Sequence, residues 1–181
     1  MRILMLGNSF TSANNLPQLI AKRTGAEVVA HTRGGARLKE HLNPNTKMGA
    51  KTLAALKEEP WDFVILQEMS NGPITSKESF RDSAGDLCDL IWSLGAKPVF
   101  YVTWAYQKDC AKLVKLGLSY DEMYEQMYQM MYDLMSARLD SITYNDPQEV
   151  VVEVIGEDNV YSISDGSMTE LDEALLDVAT E

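Results

Sequence analysis

Short, continuous apolar runs alternate along the chain with longer segments of helical periodicity. The predicted strands are Ile3–Leu6, Val28–Ala30, Phe63–Leu66, Val99–Thr103 and a weaker run at Ser141–Tyr144. Apolar residues at spacings of three and four predict helices at Leu16–Thr24, Met48–Leu56, Phe80–Leu94 and Ser119–Leu139. Apolar strands that alternate with helices are typical of a parallel sheet covered on both faces, here of roughly five strands. The pattern therefore predicts an α/β fold.

The segment Val150–Ile155 carries conflicting signals. Its β-branched residues favour a strand. The sequence Asp-Pro-Gln-Glu at 146–149 instead matches an N-cap, a proline at the first helical position and a glutamate at the third, and Gly156 supplies a stop. These capping signals predict a short helix.

Two side-chain rows mark the longest predicted helix. They are Met123, Met127, Met131 and Met135, and Tyr120, Tyr124, Tyr128 and Tyr132. The methionine row predicts one broad apolar face packed on the sheet. The alternative is that the tyrosine row extends past the core and forms the interface of a homodimer.

The length and composition indicate one ordinary globular domain spanning residues 1–181. Apolar residues make up 45% and charged residues 24%, which excludes a disordered chain. No apolar run approaches the roughly 18 residues of a membrane helix. The apolar stretch at the N-terminus is far too short for a signal peptide, so a cytoplasmic location is expected.

The charge balance argues against a nucleic-acid-binding protein, and the metal-binding residue types argue against a zinc protein. Lys and Arg total 16 against 27 Asp and Glu, a net charge of −11, which disfavours nucleic acid as a partner. Two cysteines without a CxxC motif and two histidines without an HExxH motif make a zinc site unexpected. Neither a metal nor another cofactor is predicted.

Candidate chemistry lies where the predicted strands end, at residues 7–10, 31–35, 67–72 and 104–106. In an open parallel sheet, ligands bind beyond the carboxyl ends of the strands. Ser9 follows the first strand and precedes a helix, a position that suits a nucleophile because nearby amides can stabilise an oxyanion. Taken singly, this serine is also typical of a helix cap, and the glycines and the Asn-Gly-Pro sequence at 71–73 are typical of turns.

The segment Ile3–Thr11, which contains Gly-Asn-Ser-Phe-Thr, resembles the first sequence block of the SGNH (GDSL-like) hydrolase superfamily. It is most similar to a bacterial branch of uncharacterised proteins with the block GNSFT. The resemblance continues at residues 32–38, 61–73, 103–106 and 161–166, and so spans nearly the whole chain.

This resemblance implies a flavodoxin-like three-layer α/β/α fold and hydrolysis of an ester or a related acyl bond. Ser9 would be the nucleophile. The backbone N–H groups of Ser9 and Gly35 and the side-chain amide of Asn71 would form the oxyanion hole, with Gly34 as the alternative to Gly35. These groups are expected to converge on one cavity.

Two aromatic residues after the fourth strand, Trp104 and Tyr106, are expected to overhang this cavity as substrate-binding residues. Aromatic rings there suit a sugar ring or an apolar acyl group. The alternative is ordinary packing in the wall. The expected partner is a small-molecule ester or an acylated sugar.

The last family block, Asp-x-x-His, is altered in this chain. Asp165 matches the aspartate, but Met168 stands where the family has its catalytic histidine. A thioether cannot hold a proton at neutral pH and therefore cannot act as the base. His31 is the candidate substitute base, ahead of His41, although each is more typical of a surface or packing histidine. Asp165 acting alone as a weak base is a further candidate.

Glu68 is a further carboxylate near Asn71, and it is more typical of a structural anchor that binds backbone amides than of a base. Loss of the base histidine costs on the order of 10⁶ in turnover, whereas an oxyanion hole and binding retain roughly 10³–10⁴ over water. Two functions therefore stay open. One is a hydrolase of small esters or acetylated carbohydrates with impaired activity, and the other is a catalytically inactive binding module.

Overall fold

The structure is a computed structural model, and it describes residues 1–58, 60–139, 151–155 and 160–164. Its six strands are β1 (Arg2–Gly7), β2 (Glu27–Thr32), β3 (Phe63–Leu66), β4 (Lys97–Val102), β5 (Val151–Ile155) and β6 (Val160–Ser164). The first four correspond to the four strands predicted from the strongest apolar runs, with differences of at most two residues at their ends.

Helices connect these strands. They are α1 (Ser9–Ser12), α2 (Leu16–Thr24), α3 (Leu38–His41), α4 (Lys47–Glu58), α5 (Gly72–Thr75), α6 (Lys77–Ser93), α7 (Ala111–Leu116) and α8 (Tyr120–Leu139), and a 3-10 turn at Ala13–Asn15 links α1 to α2. The four predicted helices correspond to α2, α4, α6 and α8. The short helices at strand ends lack a full period of apolar residues, so periodicity did not predict them.

The strands form one sheet in the order β2-β1-β3-β4-β6-β5. Strands β1 to β4 are parallel, and Leu6 in β1 pairs with both His31 in β2 and Leu66 in β3. Strand β6 is antiparallel to β4, and β5 is antiparallel to β6. The predicted parallel α/β sheet is confirmed, although four of the six described strands are parallel. The predicted strand at 141–144 lies outside the described residues.

The short helix predicted at Val150–Ile155 is wrong, because Val151–Ile155 forms strand β5. Four of its five residues are Val or Ile, which fit a pleated strand better than a helix. Pairing with β6 supplies the partner that a local reading of capping signals cannot detect.

Two apolar clusters lie on opposite faces of the sheet. On one face, Ile3 and Met5 of β1 pack with Leu16 and Ile20 of α2. On the other face, Leu4 and neighbouring strand residues pack against α4, α6 and α8. Alternate residues of β1 thus belong to different clusters, as the period of two in a strand requires.

The methionine row of α8 confirms the predicted apolar face. Met123, Met127, Met131 and Met135 are all buried, with at most 2% of their surface exposed. The tyrosines beside them are half-buried, and the rings of Tyr128 and Tyr132 stack with centroids 6.1 Å apart. The homodimer interface stays a prediction.

The helices that follow the adjacent strands β1 and β3 pack on opposite faces of the sheet. Helix α2, which follows β1, packs on one face, whereas α6, which follows β3, packs on the other. In open α/β sheets, the crevice beside such a divergence at the carboxyl edge is the usual ligand position.

Gly49 of α4 lies directly against the backbone that precedes the helix. A Cβ at this position would overlap the carbonyl group of Asn43 and lie 2.8 Å from the carbonyl oxygen of Glu40. Backbone atoms cannot rotate away, so Gly49→Ala is expected to lower the free energy of unfolding by about 1–3 kcal/mol. In the control Gly34→Ala, no described atom lies within 4 Å of the added Cβ, and a change within about 0.5 kcal/mol is expected. Urea denaturation compares the variants, and equal stabilities would contradict this close approach.

Candidate active site

Ser9 is the first residue of helix α1 and is exposed at the carboxyl end of β1. The preceding residue, Asn8, caps the helix, because its Oδ1 accepts a hydrogen bond of 3.1 Å from the backbone N–H of Phe10. A Cβ at Gly7 would overlap Thr11 Oγ1, so only glycine permits the chain to turn this closely from strand to helix. The local sequence therefore presents Ser9 outward on a tightly packed turn.

Gly35 lies in a turn that follows β2. The backbone N–H of Ala36 donates a 2.9 Å hydrogen bond to the carbonyl of Arg33, and Gly35 has a φ of +66°. This left-handed conformation favours glycine, and Gly34 does not adopt it. Both glycines are exposed.

Asn71 follows β3 and precedes helix α5. Its backbone carbonyl accepts hydrogen bonds of 2.8 Å from both the N–H and the hydroxyl of Thr75, which fixes the main chain. Its side-chain Oδ1 is buried and has no hydrogen-bond partner among the described residues. Within the described part of the chain, this oxygen therefore has no structural hydrogen bond to make.

A buried glutamine at the end of β3 holds the serine turn in place. Gln67 is 0% exposed, and its Oε1 accepts hydrogen bonds from the backbone N–H of Asn8 at 2.9 Å and from Thr11 Oγ1 at 3.0 Å. Its Nε2 donates to the carbonyl of Glu68. Every polar atom of this amide is therefore engaged, and two of its bonds fix the residues on either side of Ser9.

Asn8 joins the serine turn to the glycine turn. Its Nδ2 donates a 3.1 Å hydrogen bond to the carbonyl of Ala36, the residue that follows Gly35. Both Asn8 and Ala36 are buried, so water does not compete for this bond. The side chain that caps the helix of Ser9 thus also holds the turn of Gly35.

Glu68 joins the glycine turn to the Asn71 segment. Its Oε2 accepts a 3.0 Å hydrogen bond from the N–H of Leu38, and its Oε1 accepts a 2.8 Å bond from the N–H of Met69. Burial raises the pKa of the carboxyl group, and the two backbone N–H groups oppose that rise. This is the arrangement that the structural-anchor interpretation predicts.

The segment after β4 joins the others through one hydrogen bond and one aromatic contact. Ser70 Oγ lies 3.3 Å from Thr103 Oγ1, and both hydroxyls are buried. The rings of Phe10 and Trp104 meet edge to face, with centroids 4.9 Å apart and an interplanar angle of 83°. Since Phe10 follows Ser9 in the chain and Trp104 is 37% exposed, this contact places an accessible indole beside the serine turn.

The other predicted aromatic residue, Tyr106, is half-buried and lies under Lys112, whose Nζ is 5.3 Å from the ring centroid. Burial raises the pKa of its hydroxyl. The altered family block, with Asp165 and Met168, lies outside the described residues.

Both histidines are buried and share one partner. His31 Nδ1 lies 3.1 Å and His41 Nδ1 lies 3.2 Å from Thr52 Oγ1 in α4. Burial lowers the pKa of His41 to about 4, and the Gly7 carbonyl opposes this shift while the positive charges of His31 and Arg33 add to it. A hydroxyl can donate one hydrogen bond and accept another, so Thr52 suits two neutral rings.

Sequence reasoning missed four residues that position the segments: Asn8, Phe10, Thr11 and Gln67. For Asn8 and Gln67 the available signal was an amide close after a buried strand, and Phe10 and Thr11 carried no such signal. Their partners are distant in the chain, 59 residues for Asn8 and Gln67 and farther for Phe10 and Trp104, so only the fold reveals their roles.

Among the described residues, no group of three or more His, Cys, Asp and Glu side chains could hold a metal ion. In the same part of the chain, every helix is too short or too polar to cross a membrane.

Comparison with solved structures identifies similar folds over nearly the whole chain. A protein from Slackia heliotrinireducens assigned to the SGNH hydrolases is 41% identical, with a TM-score of 0.74, over 98% of this chain and 97% of that chain. A carbohydrate acetylesterase from Sinorhizobium meliloti is 16% identical, with a TM-score of 0.53, over 99% of this chain and 98% of its own. An aryl esterase from M. smegmatis is 14% identical, with a TM-score of 0.56 and the same two coverages, 99% and 98%.

The two esterases are distant enough that they show the fold alone. No protein-family model matches the chain, and no curated protein matches it.

The depressed pKa of His41 predicts a loss of stability in acid. The ring has a pKa of about 4 in the folded protein against an ordinary value of 6.5, so the unfolded chain binds an additional proton between these pH values. The corresponding stability is present above pH 6.5 and is lost as the pH falls towards 4, by about 3 kcal/mol in all. Urea denaturation across this range should show a shallower pH dependence for His41→Gln than for the wild type. Identical slopes would contradict a neutral, buried His41.

Proposed function

Because this chain belongs to the SGNH hydrolase family, we propose that it is a serine hydrolase that acts on a small ester or an acetylated carbohydrate. The observation that carries this proposal is the position of Ser9. It is exposed at the start of a helix, directly after β1, where the helices that follow β1 and β3 leave to opposite faces of the sheet. In this topology, that crevice is the usual ligand site.

In the proposed reaction, Ser9 Oγ attacks the carbonyl carbon of the ester and gives up its proton to a base. The carbonyl π-bond opens and places a negative charge on the oxygen. Collapse of this tetrahedral intermediate expels the alcohol, which takes up a proton, and leaves an acyl group on Ser9. Water then attacks the acyl group and releases the acid.

The backbone N–H groups of Ser9 and Gly35 and the side-chain amide of Asn71 are the proposed oxyanion donors. Hydrogen bonds between their neighbours support this assignment, since Asn8 binds the carbonyl of Ala36 and Gln67 binds the N–H of Asn8. Gly35 is proposed over Gly34 because it is the residue held in the left-handed turn. Donors fixed in advance need no reorganisation as the charge develops.

The exposed face of Trp104 is the proposed surface for the substrate. Its edge-to-face contact with Phe10 orients an accessible indole beside the serine turn. An indole face suits the apolar face of a sugar ring or an aryl leaving group. A carbohydrate acetylesterase and an aryl esterase are among the proteins of similar fold, which agrees with this substrate class. Tyr106 is the proposed second wall residue.

The identity of the base is the unusual part of this proposal. Met168 replaces the family histidine and cannot accept a proton at neutral pH. Asp165 and His31 are the proposed substitutes. His31 is buried, and its Nδ1 lies 3.1 Å from Thr52 Oγ1.

The second candidate function is a binding module that retains the pocket without turnover. The observation that favours it is Met168 itself. An intact oxyanion hole without a base would still bind a carboxylate or an acetylated ligand beside Ser9.

Replacement of the nucleophile separates these two functions. Wild-type protein is expected to hydrolyse 4-nitrophenyl acetate slowly, and Ser9→Ala is expected to reduce the rate to that of the uncatalysed reaction. The control is Ser12→Ala, which removes an exposed hydroxyl from the same helix and should retain the wild-type rate. Met168→His should raise turnover if Asp165 orients the new ring.

A slow wild-type rate that Ser9→Ala does not change would contradict the hydrolase and favour the binding module. Fast wild-type turnover that depends on Ser9 would show that another base operates, and His31→Ala would then test the first candidate.

A further inference from the structure

The side chain of Glu68 connects two segments that carry proposed oxyanion donors. Its carboxylate binds the N–H of Leu38 at 3.0 Å and the N–H of Met69 at 2.8 Å. Leu38 lies three residues after Gly35, and Met69 lies two residues before Asn71. We propose that Glu68 is a positioning residue that fixes the backbone amide of Gly35 relative to the side-chain amide of Asn71.

The carboxylate is held firmly enough for this role. Glu68 is 4% exposed, and a buried carboxylate depends on its hydrogen-bond donors because it has lost contact with water. Its aliphatic part packs against Gly72, where an added Cβ would lie 2.7 Å from Glu68 Cγ. Contacts on both sides therefore restrict the side chain to one arrangement.

The same geometry distinguishes positioning from direct proton transfer. Both oxygens of Glu68 already accept hydrogen bonds from backbone N–H groups. Hydrogen bonds to the charged carboxylate favour that form, so the N–H groups of Leu38 and Met69 make Glu68 a weaker base for Ser9. The observed bonds favour a residue that acts through the segments it joins.

This inference rests on the proposed function, since the oxyanion hole is part of it. An oxyanion hole works only when its donors are aimed at one point before the reaction begins. A displacement of about 1 Å can cost roughly a hundredfold in rate. In this proposal, Glu68 fixes the relative positions of the Gly35 and Asn71 amides without contacting the substrate.

The test compares Glu68→Gln with Glu122→Gln. Glutamine retains one acceptor but places an NH₂ group against the other N–H, so the bridge between the segments is broken. Glu122 also accepts a backbone N–H, that of Ser119 at 2.8 Å, but the bond stays within one segment. Both variants remove one carboxylate, and only one removes a connection between segments.

The first measurement is hydrogen exchange followed by NMR. In Glu68→Gln, the amides of Leu38 and Met69 are expected to exchange about tenfold faster, with core amides such as Leu4 and Ile65 unchanged. Glu122→Gln should leave the Leu38 and Met69 rates within about twofold of the wild type. If both amides stay as protected in Glu68→Gln as in the wild type, the proposal is wrong.

The second measurement is an acetate titration monitored at the backbone amides of Ser9 and Gly35 and the side-chain amide of Asn71. In the wild type, these three signals should shift with a common dissociation constant. In Glu68→Gln, that constant should rise about fivefold or more, and in Glu122→Gln it should not change. Faster exchange with an unchanged dissociation constant would overturn the positioning role and leave only a structural one.

If acetate shifts none of the three amide signals in the wild type, the proposed oxyanion hole is wrong. The Glu68 bridge is assessed separately, by hydrogen exchange. If Glu68→Gln does not fold, Glu68→Asp serves instead, because it retains the carboxylate but is too short to reach both segments. The same loss of protection and of acetate affinity is expected.

Discussion

Gln67 and Glu68 directly follow the central strand β3, and both side chains are polar and buried. Neither can lose its hydrogen-bond partners without a large cost in stability. Most of those partners belong to other segments of the chain. Gln67 binds Asn8 and Thr11, which flank Ser9, and Glu68 binds Leu38, which follows the glycine turn. Because these hydrogen bonds must form, the segments that follow β1, β2 and β3 are held together at the carboxyl edge of the sheet.

The topology of the sheet determines where along this edge a ligand site is expected. Four parallel strands align their carboxyl ends, and the helices that follow β1 and β3 leave on opposite faces. Ser9 is exposed at a helix start beside this divergence, and the accessible indole of Trp104 contacts Phe10. Asn71 Oδ1 is buried without a hydrogen-bond partner among the described residues. Membership of the SGNH hydrolase family gives this arrangement a chemical interpretation. The fold positions these residues, and their side chains determine which reactions are chemically possible.

Apolar runs predicted the parallel sheet and its four parallel strands, because strands buried on both faces carry a strong local signal. They did not predict the antiparallel pair β5 and β6, since the capping signals at 146–149 were given more weight than the β-branched residues of Val151–Ile155. The positions of Ser9, Gly35 and Asn71 could be inferred from strand ends and family resemblance. The roles of Gln67 and Asn8 could not, because a buried amide is recognised by its distant partners rather than by its neighbours in the chain.

The central claim is that Ser9, Gly35 and Asn71 form one preorganised oxyanion pocket in a chain whose usual base is replaced by Met168. The most direct test is a crystal structure of the protein with phenylboronic acid, which forms a tetrahedral adduct with a reactive serine and so mimics the intermediate. The account predicts a boron–oxygen bond at Ser9, with one boronate oxygen about 2.7–3.1 Å from the amide nitrogens of Ser9 and Gly35 and from Asn71 Nδ2. An adduct at another residue, or one at Ser9 whose oxygens point away from Gly35 and Asn71, would contradict it.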